Sequence, residues 1–141
     1  MIIIDTNVLL AFLLTDGITR RIIADNHDVF MSPEHCFEEL WEHRFRWNKK
    51  KLQDRELLEI VDDVKRLFVM PVFQEVYDPY ITAAEKLTDD IDDAPVIALA
   101  LSIDNEGIWT HNIKHFRQKK FGERIRVLST QDVLELYPLK E

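Results

Sequence analysis

The chain has 141 residues, 46% of them apolar, and a formal net charge of −8. That length reads as a single domain over residues 1–141, able to bury roughly 70% of its unfolded surface. The acidic balance argues against broad, sequence-blind attachment to nucleic acid without excluding a nucleic-acid enzyme, and no apolar run approaches the ~20 residues of a membrane span. The single Cys36 excludes an internal disulfide and a thiolate zinc site. Met1 leads straight into an apolar segment with no place for a signal peptide, so a cytoplasmic location is expected.

The first segment, Ile2-Ile3-Ile4, is β-branched without polar alternation and predicts a strand buried on both faces. Asp5 follows where that strand gives way to a helical pattern, Val8 to Leu14. In open α/β sheets ligands bind at the carboxyl ends of strands, and a carboxylate is costly to bury there alone. A cationic side chain or a metal ion is therefore expected at Asp5, although it is also placed to cap the helix that follows. Thr19 to Asp25 predicts a second helix after Asp16-Gly17, and Asp28 to Met31 a second strand. Ser32-Pro33 reads as an N-cap followed by Pro at the first helical position, opening a helix to about Trp47 with an apolar face of Cys36, Phe37, Leu40, Trp41 and Phe45.

Gln53 to Phe68 repeats the amphipathic pattern, and Val69 to Val76 is ambiguous, a short strand interrupted by Pro71. Asp78-Pro79 opens a helix to about Leu87, and the acidic run Asp89 to Asp93 leads into the apolar helix Ala94 to Ile103. Ile108 to Thr110 and Ile125 to Leu128 read as strands, and Ser129 to Asp132 cap a last helix to Tyr137. Strands alternating with helices predict an α/β fold around a mainly parallel sheet of four or five strands.

Acids stand at four junctions: Asp5, Glu38-Glu39, Asp92-Asp93 and the loop after Trp109-Thr110. Oxygen ligands converging on one cleft suit hard ions such as Mg²⁺ or Mn²⁺, which serve phosphodiester hydrolysis. Each acid also has an ordinary reading: Asp93 as the N-cap before Ala94-Pro95, and at least two of Glu38, Glu39 and Glu42 as solvated helix positions. The order of the acids is more informative than any one of them.

That order resembles the PIN domain, the fold of VapC-like toxin ribonucleases. The opening Ile2 to Leu9, the run Ser32 to Leu40, Asp92 to Ala100 and Ile108 to Phe116 are similar to its four acid-bearing motifs, in order, across nearly the whole chain. The resemblance implies a three-layer α/β/α fold and a Mg²⁺- or Mn²⁺-dependent ribonuclease in which Asp5, Glu39 and Asp93 hold the metal. It implies also an RNA substrate, the toxin half of a toxin–antitoxin pair, a cognate antitoxin protein as partner, and a homodimer. The amphipathic Gln53 to Phe68 would then be a dimer or antitoxin surface, where core packing alone also explains its stripe.

The chain departs from the family pattern at the fourth motif, with Asn112 where many members place Asp and His115 where an Asp often precedes the Phe. Asn112 offers a carbonyl oxygen but no charge, as a neutral ligand or a water-orienting group, and Asp90 and Asp92 are the alternatives that would complete the site. This loss motivates a rival reading, a PIN-like module that binds RNA or protein without cutting. An aspartyl-phosphate enzyme of the haloacid dehalogenase type also places an Asp after its first strand, but needs a second where this chain has Asn7.

Thr6 and Thr110 either hold the acids or end their strands, and Asn7 either orients Asp5 or caps. Trp41 reads as core and Trp47 as open, with base stacking the functional alternative for both. Cys36 reads as a buried apolar residue. Two basic groups, Arg44 to Lys51 and Lys114 to Arg126, read equally as solvated charge or phosphate contacts, the first being the guide for an RNA backbone.

Overall fold

The computed structural model describes residues 1–113, 116 and 118–140. Five strands form one all-parallel sheet in the order β3-β2-β1-β4-β5: β1 (Ile2–Ile4), β2 (Phe30–Pro33), β3 (Val69–Val72), β4 (Gly107–Trp109) and β5 (Val127–Leu128). Helices cover both faces in a three-layer α/β/α arrangement. β1 is central, and its three isoleucines are fully buried, as their unalternating pattern requires. Pro71 is tolerated because β3 is an edge strand, whose outer side needs no ladder donor.

The order β3-β2-β1-β4-β5 means that the chain winds outward from β1 through β2 to β3, then crosses back to begin the other half at β4. The topological switch point lies between β1 and β4, where ligand sites form at the carboxyl ends of parallel strands. These strands pair in the register Ile4↔Trp109, which leaves Asp5 and Thr110 as the next residues of each, side by side above the sheet.

α1 (Thr6–Leu14) follows β1 at once, with Asp5 as its N-cap, and α2 (Ile18–Asp25) packs against it. α3 (Glu34–Glu42) buries Cys36, Phe37 and Leu40, and α4 (Asp54–Leu67) buries Leu57, Val61 and Val64. Two short helices, α5 (Gln74–Tyr77) and α6 (Ile81–Glu85), lead to α7 (Ala94–Ser102), which packs across β1, β2 and β4. Ala94 to Ala100 are all buried, so α7 is apolar all round because it is enclosed. α8 (Gln118–Phe121) and α9 (Thr130–Leu136) complete the chain, and Ser129 and Asp132 form the expected capping box of α9.

Four boundaries differ from the sequence expectation. β2 runs on through Ser32 and Pro33, which pair with Pro71 and Val72, so Ser32 is no helix cap. Its hydroxyl donates instead to the Ile4 carbonyl at 2.7 Å and ties β2 to the end of β1. α3 stops at Glu42 and not at Trp47, where a 3-10 turn, Arg44–Arg46, intervenes. The end is fixed by side-chain donors: the Trp47 indole N–H reaches the Leu40 carbonyl at 2.9 Å, and Arg44 Nη1 the Trp41 carbonyl at 3.1 Å. Trp47, for which the sequence leaves core and base stacking as equal alternatives, is thereby buried, while Trp41 is half-buried against the core.

The helix expected from Asp78 to Leu87 is a 3-10 turn, Asp78–Tyr80, followed by α6, and it is preceded by α5, whose Gln74 N–H is accepted by Glu34 of α3 at 3.1 Å. The last strand is Val127–Leu128 only. Of the second basic group, Lys114 and Arg117 lie outside the described residues, as does His115. Lys120 is ion-paired with Asp89 at 3.0 Å.

Gly107 opens β4 at φ +140°, a conformation open essentially to glycine. A Cβ there would lie 2.7 Å from the Arg126 carbonyl oxygen and 2.9 Å from Leu128 Cγ. Gly107→Ala is expected to destabilise the protein by about 2 kcal/mol or more, read as a lower urea midpoint at unchanged slope.

Candidate active site

Asp5 is 6% exposed, yet both of its oxygens are engaged. Oδ1 accepts the Val8 N–H at 3.0 Å, the cap of α1, and Oδ2 accepts the Thr110 hydroxyl at 2.8 Å. Thr110, also buried, accepts the Asn112 N–H on the same hydroxyl at 3.0 Å. Thr110 therefore holds the acid of one strand and the loop of the next. Burial is the largest influence on Asp5 and pushes its carboxyl above the usual range, while the Val8 N–H, the Thr110 hydroxyl and the charge of nearby His111 oppose it.

Glu39 is half-buried on α3, where its Oε1 accepts the Thr6 hydroxyl at 2.9 Å and lies 3.2 Å from His35 Nε2. Burial is again the largest influence and pushes upward. The His35 ring, the Thr6 hydroxyl and the charges of His35 and His43 outweigh it and hold the carboxyl below its ordinary value. Glu39 in turn raises His35. Glu38 and Glu42 are exposed, as solvated helix positions should be.

Asp93 stands at the N-cap position of α7 without a cap hydrogen bond from its side chain, so the capping reading is not realised. It is half-buried, with Oδ2 shielded from solvent. Asp90 holds the turn before it, accepting the Asp92 N–H at 3.0 Å. Asp92 is exposed and Asn112 half-buried.

These groups share one cleft of about 200 Å³. Asp5, Glu39, Asp90, Asp92, Asp93 and Asn112 line it together with Thr6 and Asn7, and the floor is apolar, with Cys36, Leu40 and Val96. Cys36 is buried, and that burial pushes its thiol up to about 12, which makes it an inert part of the floor. His43, Arg46 and Trp47 form another part of the wall. Among the described residues, then, five carboxylates meet a single arginine in the cleft lining.

All four sequence-predicted site residues, Asp5, Glu39, Asp93 and Asn112, line this one cleft. Thr6 and Thr110 each hold an acid, the first of their two readings. Of the basic stretch, only Arg46 lines the cleft, because Arg44 is committed to Asp54 at 2.9 Å and lies over the Trp41 ring. Sequence reasoning missed His35, His43 and His111. The i,i+4 spacing of His35 and Glu39 was a usable signal for the first. His111, which bonds Thr19 Oγ1 at 3.2 Å, gave none, since that contact spans distant parts of the chain.

Among the described residues no three His, Cys, Asp or Glu side chains are gathered tightly enough to form a metal-binding group as they stand. The donor set still fits a hard divalent cation: the candidate donors are oxygens, the negative charge is concentrated, and Asp5 is held in a buried position that disfavours its charge.

An all-parallel α/β sheet with an acid-lined cleft at its switch point is the architecture of a carboxylate-based site rather than of a nucleotide-binding glycine loop. The family model of the PIN domain matches residues 3–127, and the chain belongs to that family. No curated protein matches it. PIN domains are generally nucleases that use divalent metal ions, so the function is nuclease-type.

Thr110→Val removes one hydroxyl that serves both Asp5 and Asn112. It should cost about 1–3 kcal/mol of stability, read by urea denaturation, because a buried carboxylate oxygen and a backbone N–H lose their partner together.

Proposed function

We propose that the protein is a Mg²⁺- or Mn²⁺-dependent endoribonuclease of the PIN type. The observation that carries this reading is the convergence of Asp5, Glu39 and Asp93, from three separate elements, on one cleft at the β1/β4 switch point. Their carboxylates would hold the ion, with Asn112 beside them as a neutral oxygen donor or a group that orients water. When bound, such an ion lowers the pKa of water and offsets the charge that develops on the phosphate and leaving oxygen. Thr110 and the Val8 N–H fix Asp5, and Thr6 fixes Glu39, so the acids need little reorganisation. Arg46, which lines the same cleft, would supply positive charge for a phosphodiester backbone.

The toxin role, the antitoxin partner and the homodimer rest on the likeness of the four motifs to VapC-like members. Among the described residues no helix is long and apolar enough to cross a membrane. The rival reading, a PIN-like binding module that does not cut, rests on Asn112, where the family often has an acid.

Asp5→Asn separates the two readings. Asn caps helices as well as Asp, so the variant keeps the α1 cap while losing the charge. Mn²⁺-dependent cleavage of mixed single-stranded RNAs should fall by a factor of about 100 or more, and activity equal to the parent's would sink the enzyme reading. Asn112→Asp should tighten Mn²⁺ binding in calorimetry. An unchanged affinity would place Asn112 outside the metal site.

A further inference from the structure

We propose that the turn Arg44–Arg46 carries a nucleobase-stacking site, with Phe45 as the platform, at the edge of the acid cleft. The proposal rests on the reading of that cleft as a phosphodiester-cutting site. Phe45 is 72% exposed, the highest value among the large apolar side chains of the described residues. A single exposed Phe needs no explanation by itself. What sets this one apart is its anchoring and its neighbours.

The turn that presents Phe45 is pinned on both sides. Arg44 donates to both Asp54 oxygens, at 2.9 and 3.3 Å, and to the Trp41 carbonyl, with its guanidinium 4.5 Å from the Trp41 ring centre. Trp47 is buried and bonded to Leu40. An exposed aromatic ring is thus held on rigid backbone, which lowers the ordering cost of anything that stacks on it.

The ring is also joined to the cleft. His43 lines the cleft and meets Phe45 edge-on, with ring centres 6.1 Å apart and planes at 68°. Arg46, on the other side of Phe45 in sequence, lines the same cleft. Lys49, Lys50 and Lys51, all exposed, follow directly. In a chain with net charge −8, five cations thus fall within the eight residues 44–51 that hold Phe45. Cations that track a phosphate backbone, interleaved with a flat ring that accepts any base, are the means of single-strand binding. The ligand class is a strand with an unpaired base next to the phosphate in the cleft.

The test is fluorescence anisotropy of a short fluorescein-labelled oligouridylate in EDTA, where binding is read without cleavage. Phe45→Ala should weaken binding roughly tenfold, Phe45→Trp should restore it, and Phe45→Leu should not. An abasic strand of the same length should bind the parent no better than the oligouridylate binds Phe45→Ala. Unchanged affinity in Phe45→Ala, or full rescue by Leu, overturns the proposal, the latter marking Phe45 as a general apolar contact for a protein. Because Phe45 is exposed, these variants are expected to keep the parent's circular dichroism spectrum and urea midpoint. The outcome is independent of the cleavage result: if Asp5→Asn abolishes cutting while Phe45→Ala binds normally, the nuclease reading stands and the stacking site falls. If Phe45→Ala weakens binding while the parent cuts nothing, the reverse holds.

Discussion

The Asp5 carboxylate, shared between the Val8 N–H and the Thr110 hydroxyl, is the interaction on which the site depends. One oxygen starts α1 and the other closes the gap between β1 and β4. A helix N-terminus favours negative charge, and the carboxylate is accordingly aimed there. The same residue is thus a cap, a cross-strand tie and a candidate ligand. The roles are compatible because a carboxylate accepts several hydrogen bonds and still presents lone pairs to a cation.

Burial and hydrogen bonding act on the acids in opposite directions, and the balance differs between Asp5 and Glu39. At Asp5 desolvation is the stronger, and the carboxyl is raised. At Glu39 a histidine and a threonine prevail, and the carboxyl is lowered. Two acids of one cleft therefore differ in their readiness to ionise. The chain sets this difference with near neighbours, Val8 for Asp5 and His35 and His43 for Glu39, and with groups distant in sequence, Thr110 and His111 for Asp5 and Thr6 for Glu39. A cation in the cleft would favour the charged form of both and reduce the penalty at Asp5 most.

Much of this was legible in the sequence, for physical reasons. β1 was readable because three isoleucines cannot face water, and α7 because nine residues from Ala94 to Ser102 leave no polar face. The order of the acids, through its likeness to the PIN domain, points to Asp5, Glu39 and Asp93, and these line one cleft together with Asn112. The end of α3 was not readable. Its periodic apolar pattern continues through Trp41 and Phe45, whereas the chain turns at His43 because Trp47 and Arg44 fold back onto carbonyls of α3. Such side-chain donors, though only three and seven residues from their acceptors, leave no mark on apolar periodicity. Ser32 misled for a related reason: its hydroxyl satisfies a carbonyl of a neighbouring strand, which outweighs its preference for capping.

Asn112 takes on a different meaning once Thr110 is in place. Its N–H holds the hydroxyl that holds Asp5, so it lies one hydrogen bond away from a carboxylate that burial already disfavours. An acid at this position would add a like charge there and raise Asp5 further whenever no cation balances the pair. The amide keeps an oxygen donor in the cleft without that repulsion. Asp90 and Asp92 line the same cleft, on a turn that Asp90 itself stabilises and that leads into Asp93 and the buried α7. Asp5 alone among the five cleft acids is buried, so it is the one for which an uncompensated like charge nearby costs most.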